Sequence, residues 1–187
     1  MHYALFPTSL GECGIAWRGD LVCATRLPGK SAAETAERLA ARAGGATKGA
    51  PPPAIGRAIA AITALLDGEK TDLAFVACDF DGIDPFAAEV YVHTRAIPAG
   101  ETSTYGAIAA RMGDKRLAQN VGRALGLNPF PIVVPCHRVL GADGKLTGFS
   151  APGGVETKLK MLAIEGARLG EAPGLFGDLP LAAKPRA

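Results

Sequence analysis

The sequence predicts an α/β N-terminal domain, a small sheet with helices, followed by a mainly α C-terminal domain that contains a helix-turn-helix. Three observations carry this expectation. Short apolar segments of strand character, separated by turns containing Gly, open the chain. Two stretches of helical periodicity follow them. Beyond an acidic, turn-rich segment at residues 79–85 the texture changes to short capped helices joined through Gly.

Residues 3–7, 13–17 and 21–24 read as strands, divided by Ser-Leu-Gly and Arg-Gly-Asp turns. A helix follows over residues 31–43, where Ser31 is the N-cap and Glu34, three positions on, completes a capping box. Residues 44–53 form a Gly/Ala/Pro loop, residues 55–66 an amphipathic helix ended by Gly68, and residues 73–78 a further strand. Residues 1–80 are therefore expected to be a scaffold domain without a catalytic group. Residues 86–169 are expected to be the catalytic and nucleic-acid-binding domain. It begins with a helix at residues 85–95, and Ser103 or Thr104 caps the next helix, which reaches about Met112. After Gly113-Asp114 another helix spans Arg116 to about Gly126, and the pair forms the helix-turn-helix. Asn128-Pro129 stops it, and Pro131-Ile132-Val133-Val134 reads as a strand leading to Cys136. Residues 141–152 are a Gly-rich, hairpin-like loop, residues 156–168 a final helix, and residues 170–187 a Gly/Pro/Ala-rich tail predicted to be disordered.

With 48% hydrophobic and 20% charged residues, the 187-residue chain can build a core, which excludes global disorder. The net charge of +2 hides an asymmetry: residues 1–85 carry 8 Lys/Arg against 10 Asp/Glu, and residues 86–187 carry 12 against 8. Between residues 104 and 138 only Asp114 opposes Arg111, Lys115, Arg116, Arg123 and Arg138, a balance that fits a phosphate-facing surface or a solvated helix face. Four cysteines without a C-x-x-C pair do not make a disulfide framework, and with 3 histidines no closed metal site is expected. No signal segment or apolar run of membrane-spanning length is present, so the expected location is the cytoplasm, or the nucleus in a eukaryote.

The chemistry concentrates in Pro135-Cys136-His137-Arg138-Val139. A thiolate is a strong nucleophile that becomes abundant near neutral pH only beside positive or hydrogen-bonding neighbours, and His137 and Arg138 are of that kind. On a strand, adjacent side chains point to opposite faces, so proton transfer from Cys136 to His137 requires a sharp turn or a relaying water. His137 also needs an acid to set its tautomer. Glu165, alone among Met161-Leu162-Ala163-Ile164, is the best-placed one, because a carboxylate among aliphatics is costly unless paired. A buried inert thiol is the bland alternative.

These residues resemble the active-site signature of the O6-alkylguanine-DNA alkyltransferases, the methylated-DNA–protein-cysteine methyltransferases. The likeness extends through Ile97-Pro98-Ala99-Gly100-Glu101-Thr102, Thr104-Tyr105-Gly106, Val121-Gly122, Asn128-Pro129, Gly144 with Gly148-Phe149-Ser150, and Glu165-Gly166, all in the family's order. It is strong over about residues 86–168, whereas the N-terminal half matches in size and strand-then-helix character only. The resemblance implies a single-turnover repair reaction on double-stranded DNA by a monomer that uses no cofactor. The helix-turn-helix enters the minor groove, an alkylated guanine is flipped out, and Cys136 takes the alkyl group from O6 (or from O4-alkylthymine), which inactivates the protein. Tyr105 would bond the base at N3, Ser150 would bond near O6, and the carbonyls of Cys136 and Val139 would read the exocyclic amine. Phe149 would line the pocket, Asn128 would brace the turn, and His137 with a water would link Cys136 to Glu165. Gln119, Arg116, Arg123, Thr104 and Arg138 would face DNA.

The chain departs from the family where an arginine normally plugs the gap left by the flipped base; here Gln119 stands, followed by Asn120. Arg116 and Arg123 share its helix face by spacing and would supply phosphate attraction. Phe149 replaces a common tyrosine, Tyr91 a usual tryptophan, and Ala151-Pro152 lengthens the pocket loop. The N-terminal metal ligands of some relatives have no counterpart, so no zinc is expected. The competing readings are a non-enzymatic lesion-binding relative, a kind that lacks the cysteine, a cysteine hydrolase and a sequence-specific regulator.

Overall fold

The computed structural model describes residues 1–146 and 148–167. The expectations for residues 168–187 therefore lie outside the described residues. Strands β1 (His2–Thr8), β2 (Gly11–Arg18) and β3 (Leu21–Arg26) form an antiparallel meander, and the two-residue β4 (Thr47–Lys48) adds in parallel to β1, giving the order β3-β2-β1-β4. Gly19, at φ +60°, supplies the left-handed residue of the β2–β3 turn.

Strand β2 is buried on both faces, and its two-residue alternation sorts two sets of side chains. Cys13, Ile15 and Trp17 join the main core, while Ala16 packs with Ala24, Leu39, Ala43 and Ala46 beneath α1 (Ala32–Arg42). A Cβ on Gly14 would stand 2.6 Å from Leu39 Cδ2, so a side chain there would force the Leu39 methyl under α1 to shift. Ser31 caps α1 by accepting from the Glu34 amide at 3.2 Å, but the Glu34 carboxylate reaches back to the Lys30 amide, one residue before the cap. The opposite face packs on α2 (Pro53–Leu66), whose Ile55, Ala58, Ile62 and Leu65 form one buried stripe.

Residues 73–78 are not a strand. One bridge, Val22 to Cys78, is all that pairs. The carbonyls of Leu73, Ala74 and Val76 instead accept from Arg95 at 2.7–3.1 Å, and that guanidinium does the work of a neighbouring strand. Arg95 ends α3 (Pro85–Arg95), which is capped by Asp84. Thr104, in the two-residue β5 (Ser103–Thr104), caps α4 (Tyr105–Arg111). A single 3-10 turn (Lys115–Leu117) leads into α5 (Ala118–Gly126), so the helix pair expected over residues 104–126 is present, with its second helix beginning at Ala118 rather than at Arg116.

The apolar run before Cys136 is not a strand either. Pro129, Pro131 and Pro135 lack amide hydrogens and cannot extend a ladder. The chain makes a tight turn in which the Val134 amide donates to Phe130 O at 2.7 Å and Ile132 adopts φ +78°. A left-handed β-branched residue costs about 1–3 kcal/mol. Burial of the Ile132 side chain offsets about as much. After the 3-10 turn Cys136–Arg138, β6 (Val139–Leu140) pairs in parallel with β5. The loop beyond it holds a short 3-10 turn (Ala142–Gly144) closed by Gly141 N to Lys145 O at 2.8 Å, and α6 (Gly154–Ile164) completes the described chain.

One continuous core, from Phe6 through Val90, Phe130 and Val139 to Met161, joins the two halves. Polar contacts reinforce the junction. The Thr25 amide donates to Pro129 O at 2.9 Å and its hydroxyl to Pro131 O at 2.6 Å, while Arg42 donates to Leu127 O at 2.6 Å. The N-terminal sheet therefore grips the segment between α5 and Cys136. Replacing Thr25 with Val keeps the side-chain shape but leaves Pro131 O without its donor. Urea denaturation of Thr25→Val is expected to show a loss of about 1–2 kcal/mol, and an unchanged midpoint would mean that this contact carries no load.

Candidate active site

Asn128 shapes the approach to the cysteine. Its Oδ1 accepts from the Phe130 amide at 2.8 Å and its Nδ2 donates to Val134 O at 2.9 Å, so one side chain closes both arms of the turn. Cys136, His137 and Arg138 then occupy one turn of 3-10 helix, where side chains project about 120° apart rather than to opposite faces. This is the sharp turn that the adjacency of Cys136 and His137 requires.

His137 is fully buried, and its Nε2–H donates to Glu165 Oε1 at 2.9 Å. That bond selects the tautomer protonated at Nε2 and leaves Nδ1 as a lone-pair acceptor. Nδ1 is itself buried and meets no hydrogen-bond partner among the described residues. Burial pushes the His137 imidazolium below its ordinary range despite the pull of Glu165, so the ring rests neutral.

Arg138 was expected on a DNA-facing surface, and the structure corrects this. It is 6% exposed, with Nε and Nη2 donating to the two oxygens of Glu165 at 2.8 Å each and Nη1 donating to Ile97 O at 2.6 Å. A fork of this geometry satisfies a buried carboxylate in a way a surface contact would not. The Gly100 amide, 3.4 Å from Oε2, adds a further donor. Burial alone would raise the Glu165 carboxyl, but the hydrogen bonds and charges of His137 and Arg138 hold it at about 2.

The half-buried Cys136 also differs from the sequence-based expectation. Burial pushes its thiol up, whereas the Asn128 side chain, the charge of Lys158 and the amides of Cys136 and His137 pull it down. His137 is neutral and Arg138 is neutralised by Glu165, so neither supplies the net positive charge that the sequence suggested. Lys158 does. It has no solvent exposure, and its Nζ donates to Val139 O at 2.6 Å. Sequence reasoning missed it, although Lys158, Met161, Leu162 and Glu165 follow the i, i+3, i+4, i+7 spacing of a buried stripe.

An open groove of about 890 Å³ is lined by Thr104 and Tyr105 of the first helix-turn-helix element, Gln119 and Gly122 of α5, and Phe149 and Ser150 of the loop before α6. Tyr105 links groove and nucleophile: its ring lines the groove, and its phenol, raised chiefly by burial, is raised further by charge on Cys136. The Ser150 hydroxyl donates to Gly126 O at 2.9 Å, and Phe149 packs against the core. Val139 is buried and contributes its carbonyl. Thr104 spends its hydroxyl on the Ala107 amide at 3.1 Å. Gln119 and Arg123 are exposed on α5. Arg116 is exposed too, but it belongs to the 3-10 turn before α5 rather than to the helix itself, and Asp114 grips it at 2.9–3.1 Å. The shared helix face inferred from spacing therefore holds for Gln119 and Arg123, not for Arg116.

Residues 85–167 match the family described as the 6-O-methylguanine DNA methyltransferase, DNA binding domain. The chain is 39% identical over 119 residues to a methylated-DNA–protein-cysteine methyltransferase of Methanothermobacter thermautotrophicus, covering 64% of this chain and 65% of that one. It is 43% identical over 117 residues to the protein of the same name from Mycobacterium bovis, covering 63% and 68%. The aligned stretch thus spans about two thirds of each relative. In three dimensions the chain superposes on Mycobacterium tuberculosis OGT in complex with DNA with a TM-score of 0.68 at 31% identity, covering 90% of this chain and 96% of that one.

The Glu165 cluster has a measurable acid signature. Its carboxyl titrates lower in the folded chain than the ordinary 4.5, so the stability it contributes is complete above about pH 4.5 and is lost as pH falls through about 2. The shift corresponds to about 3 kcal/mol. Urea melts across this window should follow that loss, and Glu165→Gln should flatten the dependence while costing about 3–5 kcal/mol at neutral pH, because Arg138 is left buried without its partner.

Proposed function

This chain belongs to the methylated-DNA–protein-cysteine methyltransferase family, and we propose that it repairs DNA by moving the alkyl group of O6-alkylguanine onto Cys136, once per molecule. The observation that carries this reading is the turn Cys136–Arg138, which sets the thiol in one turn with a neutral His137 held by Glu165, while Tyr105, which responds to charge on Cys136, lines a groove bounded by the helix-turn-helix. O4-alkylthymine offers the same electrophilic carbon and is a second substrate of the same chemistry.

The proposed reaction is a displacement at saturated carbon. Sulfur attacks the alkyl carbon, the S–C bond forms, and the C–O6 bond breaks with its electron pair passing to the purine. The thiol proton leaves through a water to His137 Nδ1, the acceptor that the Nε2–Glu165 bond leaves available. Tyr105 hydrogen-bonds N3 of the base as negative charge builds there. Ser150 meets the base near O6, and the carbonyls of Cys136 and Val139 receive its exocyclic amine. Val139 O already accepts from Lys158 but keeps a second lone pair. The thioether product has no leaving reaction, so turnover ends.

For base access we propose minor-groove binding by α4 and α5, with the target base flipped into the groove beside Tyr105. Extrusion costs a few kcal/mol. Gln119 plugs the space left behind without bringing charge, and Arg123, one helical turn further on, attracts phosphate. Arg116, held by Asp114, contributes less. Among the described residues no helix is long and apolar enough to cross a membrane. We further propose that the protein acts in the cytoplasm (the nucleus in a eukaryote) and as a monomer.

Two measurements test this. After incubation with an O6-methylguanine duplex, the intact protein should gain one methyl group, mapped to Cys136 and absent in Cys136→Ala. Tight binding to the lesion without a mass change would overturn the transfer reaction in favour of a non-enzymatic role. In single-turnover repair assays Gln119→Arg should speed transfer and Arg123→Ala should slow it, each by about tenfold, the equivalent of 1.4 kcal/mol. If both variants repair at the parental rate, the division of labour on α5 is wrong.

A further inference from the structure

The exposed stripe of α5 does not end with the helix. Gln119 and Arg123 lie one turn apart, and the exposed Leu127 follows at the C-cap, one turn further on. There the Arg42 guanidinium of α1 donates from Nη2 to Leu127 O at 2.6 Å. Arg38 stands one turn before Arg42 on the same face of α1, exposed and paired with Glu34 at 2.9 Å. Arg26 of β3 approaches the same helix from the sheet. It pairs with Gly14 in the antiparallel ladder, cross-strand partners share a face, and Gly14 lies against Leu39 of α1. The Arg26 side chain therefore rises on the side of the sheet that carries α1. Its Nε is buried and meets no hydrogen-bond partner among the described residues.

Charge on this ridge is not balanced. Glu34 already serves Arg38 and the Lys30 amide. Burial, and then the charges of Arg38 and Arg42, lower the Arg26 guanidinium from its ordinary value. Leu127 O takes one nitrogen of Arg42, a fork with five N–H donors. Residues 1–85 carry 8 Lys/Arg against 10 Asp/Glu, a balance that conceals the ridge because six of those acids lie between residues 67 and 84.

We propose that Arg26, Arg38 and Arg42 form a second phosphate-binding surface, continuous with α5, along which the N-terminal half holds the DNA backbone beside the lesion. Continuity and charge identify the occupant. The stripe starts at Gln119, the residue proposed to fill the duplex, and a helix rises about 1.5 Å per residue, so Leu127 lies about 12 Å away. At about 3.4 Å per base pair, this places Arg42 roughly three or four base pairs from the flipped nucleotide. Guanidinium forks match phosphate oxygens in pairs. Backbone phosphates supply the negative charge that Glu34 alone does not, and they do so whatever the base sequence.

This inference rests on the DNA-binding reading of α5, and salt dependence reads the two surfaces separately. Affinity for a fluorescein-labelled, undamaged duplex of two helical turns should be measured by anisotropy from about 50 to 200 mM salt. The proteins compared are the full chain, Arg38→Gln, Arg26→Gln, Arg123→Gln and Arg57→Gln. Arg57, exposed on α2 across the sheet, removes the same charge away from the ridge. Each phosphate contact releases counterions, so Arg38→Gln and Arg26→Gln should each make the slope of log affinity against log salt shallower by about 1, with Arg57→Gln at the parental slope. Arg38 is a surface residue, so its replacement keeps the fold even if Arg26→Gln does not. A parental slope in Arg38→Gln overturns the proposal, and weaker self-association of that variant in sedimentation velocity would then assign the ridge to a second copy of the chain. Equal shallowing in Arg38→Gln and Arg57→Gln overturns it too, since net charge alone would then govern binding. A slope that responds to Arg123→Gln but not to Arg38→Gln removes the ridge and keeps α5, whereas the reverse pattern keeps the ridge and removes α5.

Discussion

The buried carboxylate of Glu165 is the constraint on which the rest of this site depends. It closes the end of α6, yet its oxygens receive hydrogen from His137, Arg138 and Gly100, residues on two other segments. A Cβ on Gly100 would fall 2.9 Å from Glu165 O, so the approach of that loop depends on a residue without a side chain. Glu165 thereby does two jobs. It neutralises Arg138, which allows a guanidinium to sit in the core, and it sets the His137 tautomer, which turns Nδ1 into a proton acceptor. A carboxylate bound by Arg138 remains charged when His137 gains a proton, so an imidazolium formed in the proposed reaction would have a standing partner.

The segment carrying Cys136 is held from several sides. Asn128 closes the turn behind it, Thr25 of β3 grips the carbonyls of Pro129 and Pro131, and Arg42 of α1 grips Leu127. The strained Ile132 persists because burial and these bonds over-determine its backbone. The N-terminal half therefore contributes rigidity to a reaction in which it supplies no reacting group. Rigidity matters here because displacement at carbon requires sulfur, carbon and leaving oxygen in line, a geometry that small shifts degrade.

Charge is distributed unevenly between the two tasks of the molecule. Near the sulfur it is concentrated and buried, as Lys158 without a carboxylate and Arg138 with one. On the helix-turn-helix it is dilute: α5 presents Gln119, Asn120 and Arg123 to solvent, and Arg116 is tied to Asp114. Such a surface suits the proposed recognition through groove shape and backbone phosphate rather than through base edges.

Much was legible in the sequence because it is local. Strand alternation, the Ser31 and Thr104 caps, the helix-turn-helix and the Cys136-His137 pair all follow from residues within a few positions of one another. Even Glu165 was readable, as an acid stranded among aliphatics. The misread segments share one cause. Residues 73–78 and the run before Cys136 are apolar and short, and whether such a run pairs as a strand is decided by distant donors: Arg95 in one case, Thr25 and Asn128 in the other. Arg138 and Lys158 show the same limit for charge. A lysine or arginine in sequence reads as surface, and only the assembled core reveals that one faces a carboxylate 27 residues away and the other a backbone carbonyl on a different element. The sequence by itself determined which chemical groups are present and which elements carry them. The tertiary structure decided which charges are compensated, because compensation depends on distances through space that no spacing along the chain encodes.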